Sequence, residues 1–335
     1  MIVGGIDTKD ISVVVQGAVD KENTSRCLKS LRKHLPGAEV ILSTWEGTNT
    51  DGLDYDIVLY NQDPGGWRDG KTDIPNNLNR QLVSSKNGIK AAGRRYCVKI
   101  RSDIIFRSNR FLTYFDKFPK RDPQYQVFQE RVIFCSYFFK RYLGEVQYTV
   151  QPVPFHMSDW FAFGLREDIL MLFDIPLAEE PENTDYFFLH NLDPIRLDVL
   201  GASHQYAPEQ YIFLAASKKR LDVPYFPSVI EYTSENIEFS NRVIANNCII
   251  LNPSQMNIIC GKNSIDLYCT WSKNELSLPA SVWEGLYRYD VFVSEYIKYC
   301  DPNYLMPDEA IKQKKRYLRW HKMFEVNKLS KDALL

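Results

Sequence analysis

Residues Tyr96 to Phe106 read YCVKIRSDIIF, an apolar run cut by one charged tripeptide, Arg101-Ser102-Asp103, and resumed by Ile104-Ile105-Phe106. Apolar runs bounded by turn signals read as buried strands of α/β proteins. Open α/β sheets place their ligands beyond the carboxyl ends of such strands, so a carboxylate at that point marks a binding edge. The residues before it repeat the theme. Ile11 to Val19, ISVVVQGAV, reads as a first strand with its loop at Gln16-Gly17. Thr24 to Leu35 reads as a helix with Thr24 as N-cap and with Cys27, Leu28, Leu31 and Leu35 at helical spacing, stopped by Pro36-Gly37. Ala38–Thr44 and Tyr55–Tyr60 read as strands ending at Trp45-Glu46-Gly47 and Asn61-Gln62-Asp63, and Asn76–Ala92 reads as a helix. This β-α-β-β-α-β order predicts a mostly parallel central sheet flanked by helices, with its strand ends gathered on one edge.

Beyond Phe106 the pattern loosens. A short helix is expected over Arg110–Phe118, a strand pair or bent strand over Gln126–Phe134, and a helix over Leu165–Phe173. A loop is expected over Pro176–Asp185, followed by a helix opened by Ala207-Pro208-Glu209-Gln210. Val229–Thr233 and Cys248–Asn252 are strand-like, and a segment from Trp283 to Tyr299 precedes a basic tail. Residues 1–220 are expected to form the nucleotide-binding and catalytic domain, and 221–335 a C-terminal extension on the acceptor or membrane side.

The 335 residues carry a net charge of -1, with 44% hydrophobic and 25% charged residues, which excludes a disordered or coiled-coil chain. Global charge makes no case for nucleic acid. The 20 Tyr, 19 Phe and 6 Trp suit flat ligands and a large core alike. The seven cysteines are widely spaced with no C-x-x-C, which argues against a zinc ribbon and a disulfide framework. Cys27 and Cys97 sit in apolar settings and read as small core residues, and a reduced, cytoplasmic compartment follows. MIVGGIDTKD lacks the pattern of a signal peptide, and no apolar run reaches the ~18–20 residues of a membrane span. No G-x-G-x-x-G follows the first strand and no G-x-x-x-x-G-K-[ST] occurs, which disfavours dinucleotide and P-loop sites.

Sugar transfer from a nucleotide diphosphate leaves a diphosphate that gathers negative charge and needs a metal ion or basic groups. Mg²⁺ and Mn²⁺ take hard oxygen ligands such as carboxylates. Asp103 fits that role, with Lys99 and Arg101 at alternating positions beside it. The plainer alternative is a strand-end aspartate paired with Arg101 or Lys99. Asn76, Asn77, Asn79, Arg80, Gln81 and Ser84 open a helix and suit a phosphate or a base, or form an ordinary solvated first turn. In His156-Met157-Ser158-Asp159-Trp160, His156 can ligate a metal or be a satisfied core histidine. Asp159 can deprotonate an acceptor hydroxyl or cap the next segment, and Trp160 and Phe161 can stack on a sugar ring. Glu209 is a base or a first-turn glutamate. The tail Ile311–Phe324 carries six cations, and Tyr317, Trp320 and Phe324 form a stripe suited to an anionic membrane surface or to docking on the core.

Taken together, QGAV, STWEG, NNLNRQLVSSKNGIKAA, KIRSDIIF and HMSDWFAFG resemble the WavE lipopolysaccharide-synthesis family, most strongly over residues 11–215. The resemblance implies a GT-A-like fold, a nucleotide-sugar donor and a glycan or lipid-linked glycan acceptor of lipopolysaccharide or capsule assembly. It implies Gln16, Glu46 and Arg80 around the nucleotide and Asp159 nearer the acceptor; by position in the sequence, Gly17, Asn79, Lys99, Arg101 and Ser102 are expected beside the donor and Glu209 as a further catalytic carboxylate. For the diphosphate the resemblance leaves two alternatives: a Mg²⁺ or Mn²⁺ ion held by Asp103 with phosphate and His156, or cations that partly replace the metal. GT-A enzymes usually carry Asp-x-Asp, whereas here an arginine stands at the first position of the tripeptide. Rival readings are a sugar nucleotidyl- or phosphosugar-transferase and a non-catalytic glycan-assembly protein of the same fold.

Overall fold

The computed structural model of the protein describes residues 1–68, 75–143, 151–190, 204–229, 231–260 and 285–319. Its centre is a seven-stranded sheet. In chain order the strands are β1 (Ile11–Gln16), β2 (Glu39–Trp45), β3 (Ile57–Asn61), β4 (Tyr96–Arg101), β5 (Val132–Cys135), β6 (Phe161–Leu165) and β7 (Cys248–Leu251). They lie in the order β7-β5-β6-β4-β1-β2-β3. The pairs β4–β1, β1–β2, β2–β3 and β5–β7 are parallel, and β6 runs antiparallel to both β4 and β5. The expected α/β architecture, a mostly parallel sheet flanked by helices, is present. Every residue of β1 is buried, which is why its sequence is continuously apolar rather than alternating.

Helix α1 (Lys21–His34) starts one turn earlier than its sequence suggests. Asp20 is the cap and accepts from the Asn23 amide at 2.8 Å, while Thr24 is buried and takes the Asp20 amide on its Oγ1 at 3.1 Å. Helix α2 (Leu78–Ala91) lies across β1, β2 and β3. Helix α3 (Arg166–Phe173) follows β6, and α4 (Pro208–Lys218) packs on α3. Helix α5 (Ser234–Asn247) leads into β7 and packs on α6 (Tyr289–Tyr299). The Ile104–Phe106 segment leaves the sheet, pairs with Ile258–Cys260 and lies under α1.

Two local expectations fail for identifiable reasons. Only Val132–Cys135 of the segment from Gln126 forms a strand. Ahead of it, Asn247 Oδ1 accepts the amides of Val127 and Phe128, and the Asp168 carboxylate accepts those of Gln129 and Glu130 at 2.7 and 2.9 Å. Side chains have taken the ladder's place. Val229–Thr233 is likewise not a strand among the described residues, because Thr233 caps α5, its Oγ1 accepting from the Asn236 amide. Strand β7 pairs in register with β5, so one sheet contains residues from both sides of position 220. Cys27, Cys97, Cys135 and Cys248 are buried free thiols, Cys260 is buried, and Cys300 is half-buried; Cys269 lies outside the described residues. No helix among the described residues is long and apolar enough to cross a membrane. The basic tail is helical over 308–319, with Lys312, Lys314, Lys315, Arg316 and Arg319 exposed, while Trp320 and Phe324 lie outside the described residues.

Helix α2 can approach the sheet because residue 88 has no side chain. A Cβ there would stand 2.4 Å from Val14 Cγ1 and 3.1 Å from Ser43 Cβ. Mid-helix Gly→Ala ordinarily gains about 1 kcal/mol. Here overpacking reverses the sign, and Gly88→Ala is expected to cost about 1–3 kcal/mol and lower the melting temperature. An unchanged or raised melting temperature would contradict this close seating.

Candidate active site

Strands β1, β2 and β4 run parallel and end together, and Arg101 lies opposite Gln16 in register. Strand β6 runs the other way, with Phe161 opposite Ile100, so the residues that lead into β6 arrive at the edge where β4 ends. Asp159 and Trp160 are therefore delivered next to Arg101. Here a cavity of about 700 Å³ opens, lined by Gln16, Gly17, Arg80, Gln81, Arg101, Ser102, Asp103, Asp159 and Glu209 among others.

A buried polar seam fixes its floor. Ser84 Oγ donates to Gln16 Oε1 at 2.8 Å, and Ser43 Oγ donates to the Ser84 carbonyl at 2.7 Å. Asn61 Nδ2 donates to Ser43 Oγ at 2.9 Å. Gly17 turns the chain at a φ of +108°, open to glycine, and its amide donates to the Ser43 carbonyl. Ser102 anchors the next turn, donating its amide to the Gln16 carbonyl at 3.2 Å and its hydroxyl to the Ala18 carbonyl at 2.6 Å.

Two guanidinium–carboxylate forks stand on this floor. Arg101 donates Nε and Nη2 to the two oxygens of Asp103 at 3.0 and 2.8 Å, and its Cζ lies 4.0 Å from the centre of the Trp160 ring. Arg80 forks onto Asp63 at 2.7 and 2.8 Å and gives Nη1 to Asn77. Asn77 precedes α2 without capping it, so the positive end of that helix borders the cavity.

The third group is a carboxylate pair. Asp159 Oδ2 accepts from Gln81 Nε2 at 2.7 Å, whereas its buried Oδ1 has no partner among the described residues. Its backbone carbonyl accepts from Lys99 Nζ at 2.5 Å. Glu209, in the first turn of α4, is pushed up to about 8 by burial first and by the neighbouring Asp159 charge second. It therefore holds its proton to higher pH than a solvated glutamate. Lys99 is fully buried and its ammonium is pulled down to about 8 by burial.

The expected site residues divide clearly. Gln16, Gly17, Arg80, Arg101, Ser102, Asp103, Asp159 and Glu209 share the cavity. Glu46 is exposed and does not line it. Asn79 turns away, donating to the Ala178 carbonyl at 3.0 Å and accepting its amide at 2.8 Å. Lys99 lies behind the cavity wall as a support for Asp159. His156 is buried, with Nδ1 3.1 Å from the Met157 carbonyl and Nε2 3.9 Å from Glu209, and it does not line the cavity. Burial pulls it down to about 3, so it is neutral. Trp160 and Phe161 are buried, and the face of Trp160 carries Arg101. Among the described residues no three His, Cys, Asp or Glu side chains cluster as a metal site. Asp63, marked in the sequence only as a strand end, and the half-buried Lys140 are additions to the site; Lys140 lies close enough to act on the charges of both His156 and Glu209.

The family model described as WavE lipopolysaccharide synthesis matches residues 11–309. Among solved structures, 4-diphosphocytidyl-2C-methyl-D-erythritol synthase from Anaerococcus prevotii DSM 20548 is similar at 12% identity and a TM-score of 0.30, covering 70% of this chain and 98% of that one. That likeness is too distant to bear on the site. No curated protein matches the chain.

The raised Glu209 value has a readable consequence. The folded protein binds this proton more tightly than the unfolded chain, so the stabilisation is complete below the ordinary value of 4.5 and is lost as pH rises towards about 8. Glu209→Gln stays neutral throughout. Thermal unfolding should show the variant gaining on wild type across that interval and holding a constant lead above it. A difference that does not change with pH would contradict the assignment.

Proposed function

Because the chain belongs to the WavE lipopolysaccharide synthesis family, with its role in lipopolysaccharide synthesis, we propose that it is a glycosyltransferase of GT-A type. It moves a sugar from a nucleotide-sugar donor to a hydroxyl of a glycan or lipid-linked glycan acceptor. The observation that carries this reading is the single cavity at the strand ends, where Arg80 and Arg101 stand with Asp159 and Glu209. Cations beside carboxylates answer the two needs of the reaction, which are charge for the leaving diphosphate and a base for the attacking hydroxyl.

Asp159 is the base in this reading. Its buried Oδ1 has no partner among the described residues and is the acceptor for the hydroxyl proton, while Gln81 and Lys99 fix its other oxygen and its backbone. Glu209 holds a proton and is a donor to a sugar or acceptor hydroxyl. With one base and no nucleophile required, attack is direct and inverts the anomeric centre. The donor lies across Gln16, Gly17 and Ser102. The exposed cations of the tail helix support a peripheral contact with an anionic membrane surface near a lipid-linked acceptor.

Asp159→Asn preserves shape and removes the base. It is expected to lower sugar transfer by about 10²–10⁴-fold while donor binding changes little. Turnover of a cognate donor–acceptor pair, with calorimetry of donor binding, checks this. Unchanged turnover would remove Asp159 from the mechanism.

A further inference from the structure

We propose that Arg101 contacts the donor's diphosphate directly, that Asp103 serves to aim Arg101, and that nucleoside-diphosphate binding therefore needs no divalent cation. The inference rests on the sugar-transfer reading and specifies how that site holds its donor.

Mg²⁺ and Mn²⁺ need free hard oxygen ligands, and Mg²⁺ demands near-octahedral geometry. The donor set here fits such an ion poorly. Both oxygens of Asp103 are taken by the Arg101 fork, and Asp103 is only 3% exposed. Where a second carboxylate would complete the tripeptide, the chain has that same arginine. A cation seated on Asp103 would sit beside a guanidinium and would have to break two charge-assisted hydrogen bonds to reach its ligand. His156 is engaged elsewhere, and among the described residues no third metal-binding side chain joins the group.

Arg101 is prepared for the ligand instead. One edge of the guanidinium is clamped by Asp103 and one face rests on Trp160, which is itself wedged by Tyr137 at 4.4 Å between ring centres. Its Nη1 makes no hydrogen bond among the described residues, and its side chain, 32% exposed, lines the cavity. A planar fork with a free edge, held in one orientation, matches phosphate oxygens. Asp103 partly offsets the charge of Arg101, so its contribution is chiefly directional. Arg80 and the positive end of α2, bordering the same cavity, add to the field.

Calorimetric titration with UDP, GDP, CDP, ADP and CMP, in EDTA and separately in Mn²⁺, tests this. At least one diphosphate is expected to bind with Kd values within about threefold in the two conditions. Arg101→Met is expected to weaken it by about tenfold or more, the loss of one charge-assisted contact. Asp103→Asn is expected to weaken it less and equally in both conditions. Circular dichroism checks folding, and if Arg101→Met is unfolded, Arg101→Lys keeps the charge without the fork and should still lose affinity. Binding at least tenfold tighter in Mn²⁺, and abolished by Asp103→Asn, would make Asp103 a metal ligand and overturn the inference while leaving sugar transfer intact. Binding of CMP alone would overturn the diphosphate contact with the same consequence. Failure of every nucleotide in both conditions would bring down the sugar-transfer reading itself and this inference with it.

Discussion

The structure turns on one ion pair. Arg101 closes a central strand, Asp103 follows two residues later, and the intervening Ser102 ties the turn to the carbonyls of Gln16 and Ala18. A guanidinium and a carboxylate two residues apart, locked by parallel pairing of β4 with β1, can meet only side by side. That geometry decides what the cavity presents. It offers a positioned hydrogen-bond fork rather than a pair of free carboxylates. Of the two readings of Asp103, the structure contains the plain pairing with Arg101, and the paired guanidinium lines the cavity.

The second determinant is the direction of β6. An all-parallel sheet would carry the residues preceding this strand to the far edge. Its reversal brings Asp159 and Trp160 to the edge where β4 ends, one beside the cavity and one under Arg101. Helix α4 then adds Glu209, whose proton is held more tightly than usual by burial and the Asp159 charge, beside an Asp159 oxygen that has no partner among the described residues. Two like groups in one pocket thereby acquire different chemistry through environment alone.

Much of this was legible in the sequence because it was local. Continuous apolar strands with polar ends, at β1, β2 and β4, marked the sheet and its edge, and Gln16, Arg101, Ser102 and Asp103 followed from position. What escaped depends on long-range partners. Adjacent helix positions differ by about 100° in direction. Nothing in the stretch around Asn79 says that it faces Ala178 while Arg80 and Gln81 face the cavity. Lys99 and His156 are polar residues whose burial only the assembled fold reveals. The parallel pairing of β7 with β5, 116 residues apart at Val132 and Cys248, leaves no local signature, so the expected boundary at 220 fell inside one sheet. Conversely, Gln126–Arg131 and Val229–Thr233 carry strand-like residues but lose the ladder to side chains that bind their amides or cap a helix.

The most direct measurement is a crystal structure of the protein with an intact nucleotide sugar. The account predicts a diphosphate oxygen within hydrogen-bond distance of the Arg101 guanidinium, the Arg101–Asp103 fork unbroken, and the sugar's anomeric carbon open to an attacking hydroxyl beside Asp159. A diphosphate held away from Arg101, or held through a cation bound to Asp103 with the fork opened, would contradict it.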